Sequence, residues 1–234
     1  MKKNNSAFTL IELLVVITII AILASIALPV FNGVTERANQ TKDLSNAKQI
    51  GIAAKLFASD NNGFYPSKPP AADYNGAPDA LPTNSNEAFW WLFPNYLQSE
   101  DVFTVASSKW TPKNPDNKID PADAGTKTDT LDAGENTYAY VAGLTDTSNP
   151  AFPLLCDGFV EAGAPTYETN KSLKGGVWAA KKAIVIFADA SGQIMKVDPT
   201  SKSVKKPGTT TGQDLFASAT DWLDATANPI LNPQ

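Results

Sequence analysis

Histidine is absent from the 234 residues, and cysteine occurs once, at Cys156. The lack of histidine closes the His-assisted nucleophile pairs and the usual zinc ligand sets. A single cysteine excludes an intrachain disulfide. Cys156 ends the apolar run Pro153-Leu154-Leu155-Cys156, where a buried, inert thiol is expected. A basic excess is lacking as well: 19 Lys and Arg stand against 24 Asp and Glu, a net charge of −5. Nucleic-acid binders usually present a basic face, so no nucleic-acid partner is expected. Lys202, Lys205 and Lys206 form a short basic patch that reads as a solvated loop.

What the chain does have is one dense apolar block, residues 8–31, preceded by Lys2 and Lys3. About 20 apolar residues cross a bilayer as a helix, and basic residues ahead of the run place the remainder on the far side. Inside the block stands Glu12, where an acid costs about 3 kcal/mol on insertion scales and marks a functional residue. Two readings compete. One is a secretory signal cleaved before Leu28, with Ser25 and Ala27 as its small residues. The other retains the run. Glu12 argues for retention, and so does the helical pattern that continues beyond the block.

The stretch Ser6-Ala7-Phe8-Thr9-Leu10-Ile11-Glu12-Leu13-Leu14-Val15-Val16 resembles the prepilin-peptidase recognition motif of type IV pilins and type II secretion pseudopilins. The family usually has Gly before the cut; here Ala7 stands there. The resemblance implies cleavage between Ala7 and Phe8, N-methylation of Phe8, and assembly through the Phe8 ammonium of one subunit and Glu12 of its neighbour. Such a buried pair fixes register more surely than it adds stability. The resemblance further implies these partners: copies of itself and related pilin-like subunits, prepilin peptidase, an inner-membrane assembly platform and membrane lipid. It places the chain in the bacterial inner membrane as a single-pass protein, its C-terminal domain in the periplasm and its filament reaching the periplasm or cell surface.

From Val34 the pattern turns amphipathic, with Val34, Ala38, Leu44, Ala47, Ile50, Gly51, Ala54, Phe57 and Ala58 three or four apart. Asn61-Asn62-Gly63 and Pro66 supply a stop. Pro29 falls inside this helix and should kink it or loosen the preceding turn. Four regions result: a leader over 1–7, a transmembrane and polymerisation helix over 8–31, its amphipathic continuation over 32–62, and a β-rich globular domain over 63–234.

In the globular part, Asn84 with Glu87 marks a short helix carrying Phe89, Trp90, Trp91 and Phe93. Strands are expected at 102–105, 137–142, 153–157, 177–179, 183–188 and 193–197, with Asp189-Ala190-Ser191-Gly192 as a hairpin turn. The fold class is therefore α+β: a long N-terminal helix packed on an antiparallel sheet, as in the pilin-like plan. Residues 213–227 read as an amphipathic helix with Leu215, Phe216, Ala219, Trp222 and Leu223 on one face. Asp214, Asp221 and Asp224 lie toward its other face, which is most simply its wet side. Major pseudopilins hold calcium in a late loop, so the resemblance makes these three acids the candidate metal ligands and calcium the one candidate cofactor.

The leading reading is a non-enzymatic filament subunit of a type II secretion or type IV pilus-like system. The missing disulfide, with no closed carboxy-terminal loop, tilts it toward a secretion pseudopilin. A membrane-anchored adhesin or polymer-binding protein is the alternative, drawing on Trp90, Trp91, Trp110 and Trp178. Exposed rings would support it, and burial of all four would remove it. An anchored hydrolase comes third and has no sequence signature.

Overall fold

The computed structural model describes residues 9–66, 82–112, 114–121, 128–161, 163–208, 212–218 and 222–234, apart from the side chains at 29 and 30. One helix, α1 (Leu10–Asp60), runs through 51 residues and continues through Pro29. The chain divides into two units, Met1–Thr41 and Lys42–Gln234. In the first, the described residues are the opening turns of α1, with Leu10 to Phe31 exposed at nearly every apolar position.

In the second unit α1 buries Ala47, Ile50, Ala53, Ala54, Phe57 and Ala58, the stripe that the three- and four-residue spacing dictates. Four of these are alanine, so the helix lies close to what covers it. Gly51 is one point of close approach: a Cβ there would stand 2.7 Å from Ile186 Cγ2. The helix ends as Gly63, at φ +82°, returns its N–H to the Ala58 carbonyl at 2.8 Å.

The sheet has five antiparallel strands: β1 (Tyr138–Val141), β2 (Pro153–Asp157), β3 (Lys182–Phe187), β4 (Gly192–Lys196) and β5 (Ile230–Leu231), in the order β4-β3-β2-β1-β5. β1 and β2 are buried along their whole length, and β3 at every position after Lys182. These are continuous apolar runs covered on both faces. The β3–β4 hairpin turns where Asp189-Ala190-Ser191-Gly192 was expected. The Ser191 N–H reaches Asp189 Oδ1 at 2.8 Å, and Ala190 takes the left-handed conformation. Cys156 is buried and unpaired, its thiol pushed well up by burial, which fits an inert role.

A short helix, α2 (Ser85–Phe89), starts where Asn84 Oδ1 accepts the Glu87 N–H at 3.0 Å, with the Glu87 carboxylate reaching back to the Thr83 N–H at 2.7 Å. It delivers Phe89 against Phe103 and Tyr140, with ring centroids 5.2 and 5.1 Å apart.

Three expected elements are corrected. The strand at 102–105 is instead a 3₁₀ turn, Glu100–Phe103, which Ser99 opens by accepting the Asp101 N–H at 3.2 Å. The strand at 177–179 is a turn, with Ala179 and Ala180 at φ +54° and +50°. The helix at 213–227 is, over its described residues, a succession of turns and isolated bridges. There Asp214 accepts the Phe216 N–H, Ser218 Oγ the Ala225 N–H, and Asp224 the N–H groups of Thr226 and Ala227. Side chains that capture nearby N–H groups compete with helical bonding. Of the five apolar positions, Leu215, Phe216 and Leu223 are nevertheless buried and Trp222 is half-buried, while Ala219 lies outside the described residues. β5, two residues long, was not expected at all.

The second unit owns a core built from α1, α2 and the sheet. Residues 32–234, produced without the apolar run, should therefore be a soluble, folded monomer at micromolar concentration in sedimentation. Aggregation or a loss of cooperative unfolding would show that the core depends on the removed segment. In that fragment Gly51→Leu is expected to cost about 1–3 kcal/mol in urea unfolding, because Ile186 cannot retreat from a new side chain without repacking.

Candidate functional site

The opening turn of α1 is closed by two of its own side chains. The Thr9 N–H and hydroxyl both donate to Glu12 Oε2, at 2.8 and 2.7 Å, and the Glu12 N–H returns to Thr9 Oγ1 at 3.3 Å. Thr9 stands just ahead of the first helical residue and Glu12 is the third inside it, which makes the pair a capping box. The acid also complements the positive end of the helix dipole. The Thr-x-x-Glu spacing was the signal for this, and the reading that treated Glu12 only as an intersubunit group overlooked it. Ala7 and Phe8, the expected cleavage and methylation positions, lie outside the described residues.

After this cap, the helix presents apolar side chains on all sides. Leu10 is 79% exposed, and Val15 and Val16, the least exposed of the large ones, are still 47% exposed. Soluble helices bury one stripe; a helix apolar all round needs an apolar surrounding. Among the described residues α1 is the one helix long and apolar enough to cross a membrane. Its few hydroxyls are already satisfied inside the helix: Thr18 Oγ1 donates to the Leu14 carbonyl at 2.7 Å and Ser25 Oγ to that of Ile22 at 2.8 Å. Internal pairing of this kind is what hydrocarbon demands of polar groups.

The expected metal ligands do not share a helical face, since the helix does not form. Asp214 and Asp224 serve their own turns through the N–H groups described above, and Asp221 lies outside the described residues. A different group of acids does converge. Carboxylate oxygens of Glu100, Asp116 and Glu135 lie within 4.8 Å of one another. Glu100 is fully buried, and burial pushes its carboxyl up to about 7; backbone N–H bonding opposes this, and the charges of Glu135 and Asp116 add to it. Its two oxygens accept the N–H groups of Leu131 and Asn117, at 2.6 and 2.9 Å. Glu135 accepts those of Asp132 and Asp116 at 2.9 and 3.3 Å, and Asp116 that of Lys118 at 2.9 Å. The cluster thus fastens three loop segments through their backbone donors. No sequence spacing announced it, because 16 and 19 residues separate its members.

The four tryptophans divide. Trp110 and Trp178 are buried, and the Trp110 indole N–H donates to the Phe159 carbonyl at 3.0 Å. Trp90 and Trp91 are half-buried and pack against the core. The rings thus serve largely as packing, although not all four are buried.

Comparison with known proteins adds to this geometry at one end of the chain. A family model described as the prokaryotic N-terminal methylation motif matches residues 2–28. The chain is similar to the type II secretion system core protein G of Aeromonas hydrophila, 40% identical over 63 residues, which are 27% of this chain and 44% of that protein. It is also similar to the type IV major pilin of Myxococcus xanthus, 42% identical over 61 residues, covering 26% and 28% of the two chains. A third relative is the type IV wide pilus major component of Thermus thermophilus, 39% identical over 62 residues, covering 26% and 47%. The likeness spans less than half the length of each of these curated relatives. No solved structure matches the chain significantly.

Thr9→Ala should fray the first turn of α1, since loss of a cap costs about 1 kcal/mol. Amide exchange at Glu12 and Leu13 of the full chain in micelles, whose N–H groups bond to Thr9, is then expected to quicken roughly fivefold. Unchanged exchange there would show that the box does not hold the helix start.

Proposed function

We propose that this chain, whose amino-terminal segment is of the type IV pilin and type II secretion pseudopilin kind, is a structural, non-enzymatic subunit of a filament of that class. One observation carries the reading: an apolar helical segment exposed on all sides, headed by Glu12 inside the matched methylation motif, precedes a unit with its own core. A segment that the described residues leave uncovered has two apolar places to go. It enters lipid while the subunit is free, and packs against copies of itself once assembled.

Processing belongs to the same proposal. Prepilin peptidase cuts between Ala7 and Phe8 and methylates the Phe8 amino group, and an inner-membrane platform extracts the subunit into the filament. Glu12 then exchanges partners. In the free subunit Thr9 holds it; in the filament the Phe8 ammonium of a neighbour does, in a low-dielectric setting that favours a fixed register over raw stability. The globular domain faces the periplasm. Pro29 gives α1 a position without a backbone N–H, where the helix can bend on packing. Calcium bound near Asp214, Asp221 and Asp224 belongs to this reading only by likeness to major pseudopilins.

Intact mass and amino-terminal sequencing of membrane-derived protein should find a chain starting at N-methyl-Phe8. A start at Leu28 would establish a secreted protein and end the filament reading. Glu12→Leu should insert at least as well as the parent, because an acid costing about 3 kcal/mol has left the membrane segment. Sheared filaments should nevertheless fall at least tenfold relative to processed subunit. Normal assembly of that variant would remove Glu12 as the register device.

A further inference from the structure

Two carboxyl groups meet beneath the sheet, and among the described residues neither forms an ion pair with a lysine or arginine. Register places Tyr138 of β1 directly opposite Asp157, the last residue of β2, so their side chains leave the sheet on one face. Asp43 of α1, 2% exposed, comes down on that face, and Asp157 is fully buried. The Tyr138 hydroxyl donates to Asp43 Oδ1. The Ile184 N–H donates to Asp157 Oδ2 at 2.8 Å. Three buried polar atoms are then left without a hydrogen-bond partner at this spot: Asp43 Oδ2, Asp157 Oδ1 and the Trp178 indole nitrogen. The two carboxyl groups meet at Tyr138, whose hydroxyl binds Asp43 and whose place in β1 is directly opposite Asp157. The groups acting on them are each other, Tyr138, Trp178 and the Ile184 N–H, with Cys156 and Tyr167 alongside Asp157. None is a lysine or arginine.

Two bare carboxylates in such contact would repel in a medium of low dielectric, each with an oxygen unsatisfied. A single proton removes both difficulties. We propose that Asp157 and Asp43 share one proton, carried on Asp157 Oδ1 and donated to Asp43 Oδ2, and that this bond is a proton-dependent latch fastening α1 to β1 and β2. Asp157 is the holder because full burial and the neighbouring Asp43 charge favour its neutral form more than the Ile184 N–H opposes it. Asp43 is the acceptor because it keeps its charge under the Tyr138 hydroxyl and beside the Trp178 indole. The same partition follows from the electrostatics. Burial raises both groups; the charge of Asp43 raises Asp157 further, whereas the Tyr138 hydrogen bond holds Asp43 back.

The sign of the pH dependence follows. An unfolded aspartate releases its proton near pH 4. The folded pair keeps its proton to higher pH, so the folded state binds the extra proton. The latch's contribution is complete below the unfolded value and is lost as pH rises through the folded one. Over that window the folding equilibrium constant should fall by up to about tenfold per pH unit, the limit for one proton. Glu100, pushed up to about 7, acts in the same direction and has to be taken out of the comparison.

The test therefore uses the full chain in detergent micelles in a Glu100→Gln background. At pH 7.5 its infrared spectrum should contain the carbonyl stretch of a protonated carboxylic acid, and Asp157→Asn should abolish it. The midpoint of thermal unfolding should fall as pH rises from 5 to 9 in the Glu100→Gln protein. It should be nearly flat in both Asp43→Asn and Asp157→Asn, whose amide carries the bridging hydrogen at every pH. If one aspartate variant fails to fold, the other supplies the slope, and the infrared band needs neither. A missing band in the Glu100→Gln protein would overturn the latch, as would an unchanged pH slope in a folded aspartate variant.

Discussion

Among the described residues the large apolar side chains of residues 10–28 stand about half exposed or more, and most of what is distinctive in the structure follows from that. The same helix, further along, buries Ile50 and Phe57 almost completely. One continuous α1 thus meets two environments. Its first half satisfies its own hydroxyls and caps its own start with Thr9 and Glu12, which is what an apolar surrounding demands of polar groups. Its second half delegates burial to the sheet.

The second half achieves that burial through small residues. Ala47, Ala53, Ala54 and Ala58 set the helix close to its cover, and Gly51 leaves room for Ile186 where a methyl group would not fit. Large residues then come from the sheet side and from α2, with Phe89, Phe103 and Tyr140 meeting edge-on or tilted. Close approach has an electrostatic consequence, because it brings Asp43 against Asp157 with water excluded. Buried acids recur at Glu100, where they join segments that regular hydrogen bonding does not connect. In both places a carboxyl group substitutes for secondary structure as the fastening.

The proposed filament role rests on the motif matched over residues 2–28 and on a likeness that covers about a quarter of the chain.

The sequence by itself determined the long helix, its change from all-round to one-sided apolarity, the capping of α2, and four of the five strands. Each of these is encoded in consecutive residues: a run, a three-to-four period, an Asx cap, a turn between apolar stretches. Tertiary structure decided the rest. The stretch 213–227 had the apolar spacing of a helix, but Asp214, Ser218 and Asp224 captured local N–H groups, while Leu215 and Leu223 found burial without helical geometry. The residues at 102–105 have the composition of a strand, yet Ser99 opens a 3₁₀ turn there by accepting the Asp101 N–H. β5 is too short to carry a period. The two carboxylate clusters join Asp43 to Asp157 and Glu100 to Glu135 across tens of residues, and such contacts exist only once strand register and helix placement are fixed.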